Sequence, residues 1–277
     1  MDIQHAKKAF PCECTSSAFV AADMINIEFL WPGPAPRGGQ FFLIKPRRTG
    51  VFLARPISVA GKGDGGILRF LVAVRGRGSR ELADLKPGEE AELIGPLGNS
   101  WAGATGLLNG VSNVSGGAAE KPIALVAGGV GIAPLLAFIQ ELGEKPIPVS
   151  RNLVPLDSVP FDLYAGFRTG SFGLEGVKPG SLVIATEDGS RGQKGRIPDF
   201  FEPDGYSAVF ACGPEPMLKV VGAKCMASDV PCFVSMEKHM ACGVGACLGC
   251  RVKTKSGNMS CCTDGPVFNV SEIIFDE

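Results

Sequence analysis

Cys242, Cys247 and Cys250 stand at the spacing C-x4-C-x2-C, interleaved with Gly243, Gly245 and Gly249. A second thiol pair, Cys261 and Cys262, follows after a short polar turn. Four thiolates around an iron–sulfur cluster require the chain to curl about its own sulfurs, which calls for small residues and for backbone angles that glycine tolerates. Four residues, then two, then a distant cysteine is the plant-type two-iron, two-sulfur pattern. Zinc is the competing reading, but zinc sites more often show paired C-x2-C knuckles or His ligands, and here Cys247–Cys250 alone makes such a pair. Disulfides or free thiols are the third reading. Cys12, Cys14, Cys212, Cys225 and Cys232 are spaced too irregularly for a disulfide framework. The spacing does not choose between Cys261 and Cys262 as fourth ligand. His239 is expected to pack or face solvent rather than ligate.

Two further stretches carry groups suited to phosphates. Arg55-Pro56-Ile57-Ser58 sets a guanidinium and a hydroxyl on one strand, and Arg suits a bidentate grip on a diphosphate. Gly76-Arg77-Gly78-Ser79 offers bare backbone N–H groups just before a helical turn. A plain strand start and a plain loop are the alternatives. Later in the chain, Gly128-Gly129-Val130-Gly131 leads from an apolar run into a helix whose first turn contains Pro134. Free N–H groups and the helix dipole make such a turn an anion site. Cys212-Gly213-Pro214-Glu215-Pro216-Met217 repeats the design, and two such turns on one sheet edge favour a dinucleotide crevice over two tight connections. The pair Glu187-Asp188 could hold ribose hydroxyls, whereas Arg168 could meet a 2′-phosphate, so NADH and NADPH both stay open.

These residues need a scaffold, and 277 residues allow two or three compact units. With 27 basic against 28 acidic residues, no electrostatic case exists for nucleic acid or an anionic membrane. Glycine, 38 residues, is about twice its usual share of ~7%, which implies many turns. Lys7 and Lys8 imitate a secretory n-region, but Pro11, Glu13 and Ser16-Ser17 interrupt the apolar segment such a signal needs. The uncharged run 123–139 contains Gly128, Gly129, Gly131 and Pro134 and falls short of the ~20 residues of a membrane span. With thiols that look like metal ligands, a reducing cytoplasm is the expected compartment.

Short apolar runs at 19–30, 40–45, 56–60, 67–74 and 90–94, broken by Gly/Pro-rich turns, predict an antiparallel β-barrel over residues 1–103, with a helical turn at 79–85. Residues 104–121 read as a linker and 144–160 as an irregular excursion. Strands at 123–127, 161–165, 182–186 and 208–212, alternating with helices at 133–142, 197–201 and 214–224, predict a doubly wound parallel sheet over 122–230. A small β-rich cluster domain is expected over 231–277, entered by a strand at 232–236 and containing a hairpin centred on 256–258.

The order of motifs resembles the ferredoxin–NADP reductase superfamily. Arg55-Pro56-Ile57-Ser58, Gly76-Arg77-Gly78-Ser79 and Gly95-Pro96-Leu97-Gly98-Asn99 match its FAD-binding barrel. Gly128 to Leu135 and Cys212 to Leu218 match its two nicotinamide-nucleotide motifs. The resemblance implies FAD contacts at Arg55, Pro56, Ile57, Ser58, Leu71, Val72, Ala73, Gly78 and Ser79. Val72 and Ala73 stand where relatives often carry an aromatic and a basic residue. It implies nucleotide contacts at Gly128, Gly129, Val130, Gly131, Cys212, Gly213 and Pro214.

Ser235-Met236-Glu237, the stretch 240–250 and Cys262-Thr263-Asp264-Gly265-Pro266-Val267-Phe268 narrow the resemblance to the electron-transfer subunits of type B dihydroorotate dehydrogenase. That family places the fourth ligand directly before x-Asp-Gly-Pro-Val-Phe, so the resemblance assigns it to Cys262. It further implies an oxidoreductase subunit of pyrimidine biosynthesis that passes electrons between NAD(H), FAD and the cluster. The implied partner is a separate FMN-containing catalytic subunit, in a heterotetramer of two copies of each. The rival expectations are the flavin and [2Fe-2S] subunit of an NADPH:ferredoxin oxidoreductase or of a sulfide/hydrogenase complex, and a zinc-stapled nucleotide-binding regulator.

Overall fold

The computed structural model describes residues 8–47, 50–104, 121–143 and 159–275. Nearly all of the expected linker 104–121 and most of the excursion 144–160 lie outside the described residues.

Six strands close the barrel in the order β1-β2-β5-β4-β3-β6. They are β1 (Ala9–Ala21), β2 (Met24–Leu30), β3 (Phe41–Pro46), β4 (Arg55–Lys62), β5 (Ile67–Ala73) and β6 (Glu90–Leu97), with helix α1 (Arg77–Ala83) between β5 and β6. Closure leaves no free edge. The core sits on edge-to-face aromatic contacts: Trp31 meets Phe42 at 4.9 Å between ring centroids, and Phe42 meets Phe70 at 5.7 Å. The run 19–30, expected as one strand, is the end of β1, a turn at Ala22-Asp23 and all of β2. Strand β1 escaped the hydrophobic pattern because only Cys12 and Cys14 of its central stretch reach the core, between Glu13, Thr15, Ser16 and Ser17.

Beyond the barrel, β7 (Ile123–Gly128), β8 (Phe161–Phe167), β9 (Leu182–Thr186), β10 (Gln193–Lys194), β11 (Ala208–Cys212) and β12 (Cys232–Ser235) form a parallel sheet. Strand period 2 explains why β7 reads as a continuous apolar run. Ile123, Leu125 and Ala127 point into the layer of helix α2 (Ile132–Leu142), whereas Ala124 and Val126 point into the layer of helix α3 (Glu215–Ala227). The helix expected at 197–201 is a short 3-10 turn at Ile197–Phe200. The sheet also runs past the boundary expected at 230/231. Strand β12 pairs with β11, and β15 (Val267–Asn269), from the far end of the chain, adds antiparallel to β12. The remaining hairpin, β13 (Arg251–Thr254) and β14 (Gly257–Ser260), stands apart from that sheet.

Helix α2 docks on the barrel. The Gln140 side chain accepts from the Lys62 N–H at 2.7 Å and donates to the Lys62 carbonyl at 2.8 Å, copying a strand partner. The Gly38 N–H donates to buried Glu141 at 2.9 Å, and the Trp101 indole N–H donates to the Pro134 carbonyl at 3.1 Å. Gly38 is required there, since a Cβ would lie 2.6 Å from the Phe138 Cα.

The C-terminal lobe is clamped to the barrel by Asn99, just after β6. Its Nδ2 donates to the carbonyls of Asp264 at 3.1 Å and Val267 at 2.9 Å, while Oδ1 accepts from the Val267 N–H at 2.9 Å. Replacing Asn99 with Ala strips all three bonds and strands the Val267 N–H. We expect a loss of roughly 1–3 kcal/mol, the usual cost of an unsatisfied buried polar group, read from denaturant unfolding of the holoprotein.

Candidate electron-transfer site

The cluster loop gains its shape from three left-handed residues, Gly243 (φ 68°), Gly245 (φ 79°) and Leu248 (φ 57°). Such turns rotate successive N–H groups inward into an anion-binding nest. The Val244 and Cys247 N–H groups donate to Cys242 Sγ at 3.5 and 3.3 Å, and the Gly245 N–H donates to Cys262 Sγ at 3.2 Å. These bonds, the Val244 donor foremost, draw the Cys242 thiol down to about 7.

The sulfurs come in pairs. Cys250 Sγ and Cys262 Sγ lie 3.3 Å apart, and Cys247 meets Cys242 through both its N–H and its side chain. Among the described residues no three His, Cys, Asp or Glu side chains converge on one point where a single ion would sit. Two irons bridged by inorganic sulfide need only two thiolates each, so this donor set fits a [2Fe-2S] cluster better than a four-coordinate zinc. Cys261 and Cys262 part company at once. The fully buried Cys261 thiol turns away to donate to the Met236 carbonyl at 3.7 Å, while Cys262 meets Cys250. In the thiol state burial pushes both up to about 12, with Lys238 opposing the rise at Cys261. A bound metal's charge reverses that preference for a ligating thiol.

The loop rests on the barrel. A Cβ on Gly243 would lie 2.6 Å from the Leu43 Cδ1 and 3.1 Å from the Leu97 Cδ1. Leu43 of β3 is the register partner of Pro56 in β4. The Arg-Pro-Ile-Ser strand is therefore the immediate neighbour of the strand on which the cluster loop packs.

On that strand the two expected flavin motifs converge. The Arg55 guanidinium crosses Gly78, where a Cβ would meet its Nε at 2.5 Å, so only glycine admits the arginine. Its Nη1 also donates to the Leu53 carbonyl at 3.0 Å. Ser79 is occupied locally: its Oγ accepts from the N–H groups of Arg75 at 2.8 Å and Gly76 at 3.1 Å and donates to the Gly76 carbonyl. It shapes the loop, and the Arg55 guanidinium beside it is the group whose chemistry suits a diphosphate. Pro56, Ile57 and Ser58 are half-buried on β4. Leu71 and Val72 are buried in two different cores, and only Ala73 of that trio is partly open.

The two nucleotide turns pack backbone against backbone. A Cβ on Gly131 would lie 2.2 Å from the Cys212 carbonyl oxygen, and one on Gly213 would lie 3.0 Å from the Gly128 Cα. Gly129, at φ 56°, faces open space, and Val130 beside it is half-buried. Both turns lie at the C-terminal ends of adjacent parallel strands, where the N-terminus of α2 opens; this is the crevice position for a dinucleotide. Half-buried Cys212 stays a thiol, pushed up to about 12 by burial and then by the Glu237 charge. At the next strand ends, Ser190 joins the two loops: its Oγ accepts from the Gly170 N–H at 2.8 Å and donates to Asp188 at 2.6 Å. The Ser190 hydroxyl, and after it the Ser190 N–H at 3.0 Å, hold the Asp188 carboxyl below its usual range.

Two structural residues have roles that no local pattern announced: Asn99 as a clamp, and Gln140 as a substitute strand partner. A lone amide at a strand end or on a helix carries no such signal until its distant acceptors are known.

A flavin-type barrel and a dinucleotide-type sheet with a four-cysteine lobe held between them define an electron-transfer protein of the ferredoxin–NADP reductase type. Residues 237–274 match the family described as the iron–sulfur cluster binding domain of dihydroorotate dehydrogenase B. A dihydroorotate dehydrogenase B (NAD(+)) electron transfer subunit from Clostridium acetobutylicum is 39% identical over 87% of each chain. The one from Caldanaerobacter subterraneus is 33% identical over 94% of this chain and 96% of its own. Among solved structures, an NADH-dependent reduced ferredoxin–NADP oxidoreductase superposes with a TM-score of 0.74 at 26% identity, covering 95% of this chain and 89% of its own. The chain belongs to the family of dihydroorotate dehydrogenase B electron-transfer subunits, and is thus an oxidoreductase subunit. Among the described residues no helix is long and apolar enough to cross a membrane.

In iron-free protein, Cys242 should react with iodoacetamide at a rate that climbs as pH rises through about 7. Cys262, pushed up to about 12, should stay unmodified across that window. Peptide mass mapping between pH 6 and 9 gives the order, and equal labelling of the two would contradict the loop geometry.

Proposed function

We propose that this chain carries electrons between NAD(H) and the FMN of a catalytic dihydroorotate dehydrogenase subunit, through its own FAD and [2Fe-2S] cluster. Bound FAD supplies the exchange between a two-electron hydride donor and a one-electron cluster. The observation that carries the reading is the juxtaposition at Leu43, which touches the cluster loop and faces Pro56 of the flavin strand across one β-ladder.

In this reading, Arg55 and the N–H groups around Gly78 hold the flavin diphosphate, with Pro56, Ile57, Ser58 and Ala73 along the flavin and Leu71 and Val72 supporting from the core side. Gly128, Gly129, Val130 and Gly131 cradle the nucleotide diphosphate at the N-terminus of α2. Cys212, Gly213 and Pro214 lie against the nicotinamide, where a neutral thiol adds no charge beside the ring. Cys242, Cys247, Cys250 and Cys262 ligate the irons.

We divide the chain into a flavin unit (1–103), a linker (104–121), a nucleotide unit (122–230) and a cluster unit (231–277). Strand β12 then serves the nucleotide sheet while leading into the cluster loop. We place the protein in the cytoplasm, in keeping with cysteines that are all free thiols. The complex is read as two copies of each subunit, and the cluster loop, with Cys247 and Leu248 exposed at its tip, is read as facing the catalytic subunit.

The test is reconstitution. The purified chain should be yellow-brown, hold two irons per flavin as a two-iron cluster does, and have its flavin bleached by NADH. Mixed with a catalytic subunit, it should drive NADH-dependent reduction of orotate. Oxidation of dihydroorotate by the chain alone with NAD would overturn the division of labour, and NADPH-dependent reduction of ferredoxin in its place would favour the rival oxidoreductase. Cys262→Ser should lower iron content and leave electrons on the flavin, slowing orotate reduction by an order of magnitude or more. Cys261→Ser should keep iron and activity within about twofold of the parent, since its thiol only meets the Met236 carbonyl.

A further inference from the structure

An ion pair bridges the nucleotide turn and the cluster connector. Lys238 Nζ lies 2.8 Å from Glu215 Oε2, with both side chains about a third exposed or less (26% and 35%). Glu215 is the first residue of α3, directly after Cys212-Gly213-Pro214. Lys238 sits between β12 and Cys242, on a connector fixed to the cluster lobe at both faces of Met236. The Met236 N–H donates to the Pro266 carbonyl at 2.9 Å, and the Met236 carbonyl accepts from Cys261 beside the ligand Cys262. The ammonium is thus attached to the cluster fold by covalent and hydrogen-bonded links only a few residues long. The carboxylate that neutralises it belongs to the other functional turn.

We propose that Lys238 is a positioning residue that sets the reduction potential of the cluster, and that Glu215 moderates it by pairing with the ammonium. This rests on the cluster reading above. A reduced cluster carries one more negative charge than an oxidised one, so a fixed cation nearby favours reduction and a carboxylate that cancels the cation weakens the effect. In a partly buried setting such a pair is screened less than a surface pair. The two partners then act on the potential with opposite sign, which a purely structural bridge does not do. Losing either partner of a structural bridge would loosen the same connector.

The experiment is an EPR-monitored redox titration of the FAD- and cluster-loaded protein in four forms: the parent, Lys238→Met, Lys238→Arg and Glu215→Gln. At a fixed applied potential, Lys238→Met should lower the reduced-to-oxidised ratio of the cluster roughly threefold, ~30 mV at 59 mV per tenfold for one electron. Glu215→Gln should raise the ratio by a similar factor, and Lys238→Arg should restore the parent value. Shifts of the same sign, or parent-like ratios in both Lys238→Met and Glu215→Gln, overturn the proposal. If Lys238→Met loses iron, Glu215→Gln decides alone, because it leaves the connector lysine in place and a raised ratio is still required. Parent protein with no reducible iron–sulfur EPR signal would refute the cluster reading itself, an outcome distinct from a cluster whose potential ignores both residues.

Discussion

The arrangement depends on one packing contact, that of the cluster loop against the barrel wall. Gly243 lies so close to the barrel that a single methyl group there would collide with Leu43 and crowd Leu97. Two residues beyond Leu97, Asn99 fills the hydrogen-bonding needs of 264–267, the segment that follows Cys262. Gly98, at φ 74°, lets the chain turn there without striking Pro266. An electron carrier works only if its centres stay close, and here proximity is enforced by backbone approach and a satisfied amide rather than by a flexible tether. Three separate uses of glycine — beside Leu43, beneath Arg55 and against Cys212 — bring backbone within reach of a leucine side chain, a guanidinium and another stretch of backbone.

The three units are not independent bodies joined end to end. One apolar core runs from Ala124 and Val126 in the nucleotide sheet through Val234 and Val270 to Cys250, Cys262, Leu43 and Leu97. A second joins helix α2 and the sheet to Trp101, Met24 and Leu71 of the barrel. Strand β15 ties the end of the chain into the nucleotide sheet, so the cluster lobe is fastened to both of the other units. The relative placement of flavin, nucleotide and cluster sites is therefore part of the folded state, stabilised by the same burial that stabilises each unit.

The motifs that carry chemistry were legible because their requirements are local. A glycine turn before a helix and a C-x4-C-x2-C loop each point to a ligand type within a dozen residues, while the flavin reading of the Arg-x-x-Ser strand came from the family resemblance. In the nucleotide sheet β10 is only Gln193-Lys194, both exposed, with no apolar residue to announce it, whereas the four strands β7, β8, β9 and β11 were legible as short apolar runs. Strand β1 was not, because one face of a barrel strand can be built from two cysteines while its neighbours are polar. The end of the nucleotide sheet was missed for a different reason: β12 finds its partners in β11 and in β15, about thirty residues later, and pairing at that range leaves no trace in periodicity.

The family resemblance supplied the flavin; residue types and short spacings by themselves narrowed the ligand classes and set out the order of the units along the chain. They did not separate Cys261 from Cys262, nor show that Arg55 lies across Gly78 or that Lys238 reaches Glu215. Each of those is a contact between segments distant in sequence or a choice of side-chain direction, and both are decided only when the competing cores close around them. The physical reason is range: covalent geometry and turn preference act over a few residues, whereas which sulfur faces the cluster and which faces the core is settled by what packs on either side.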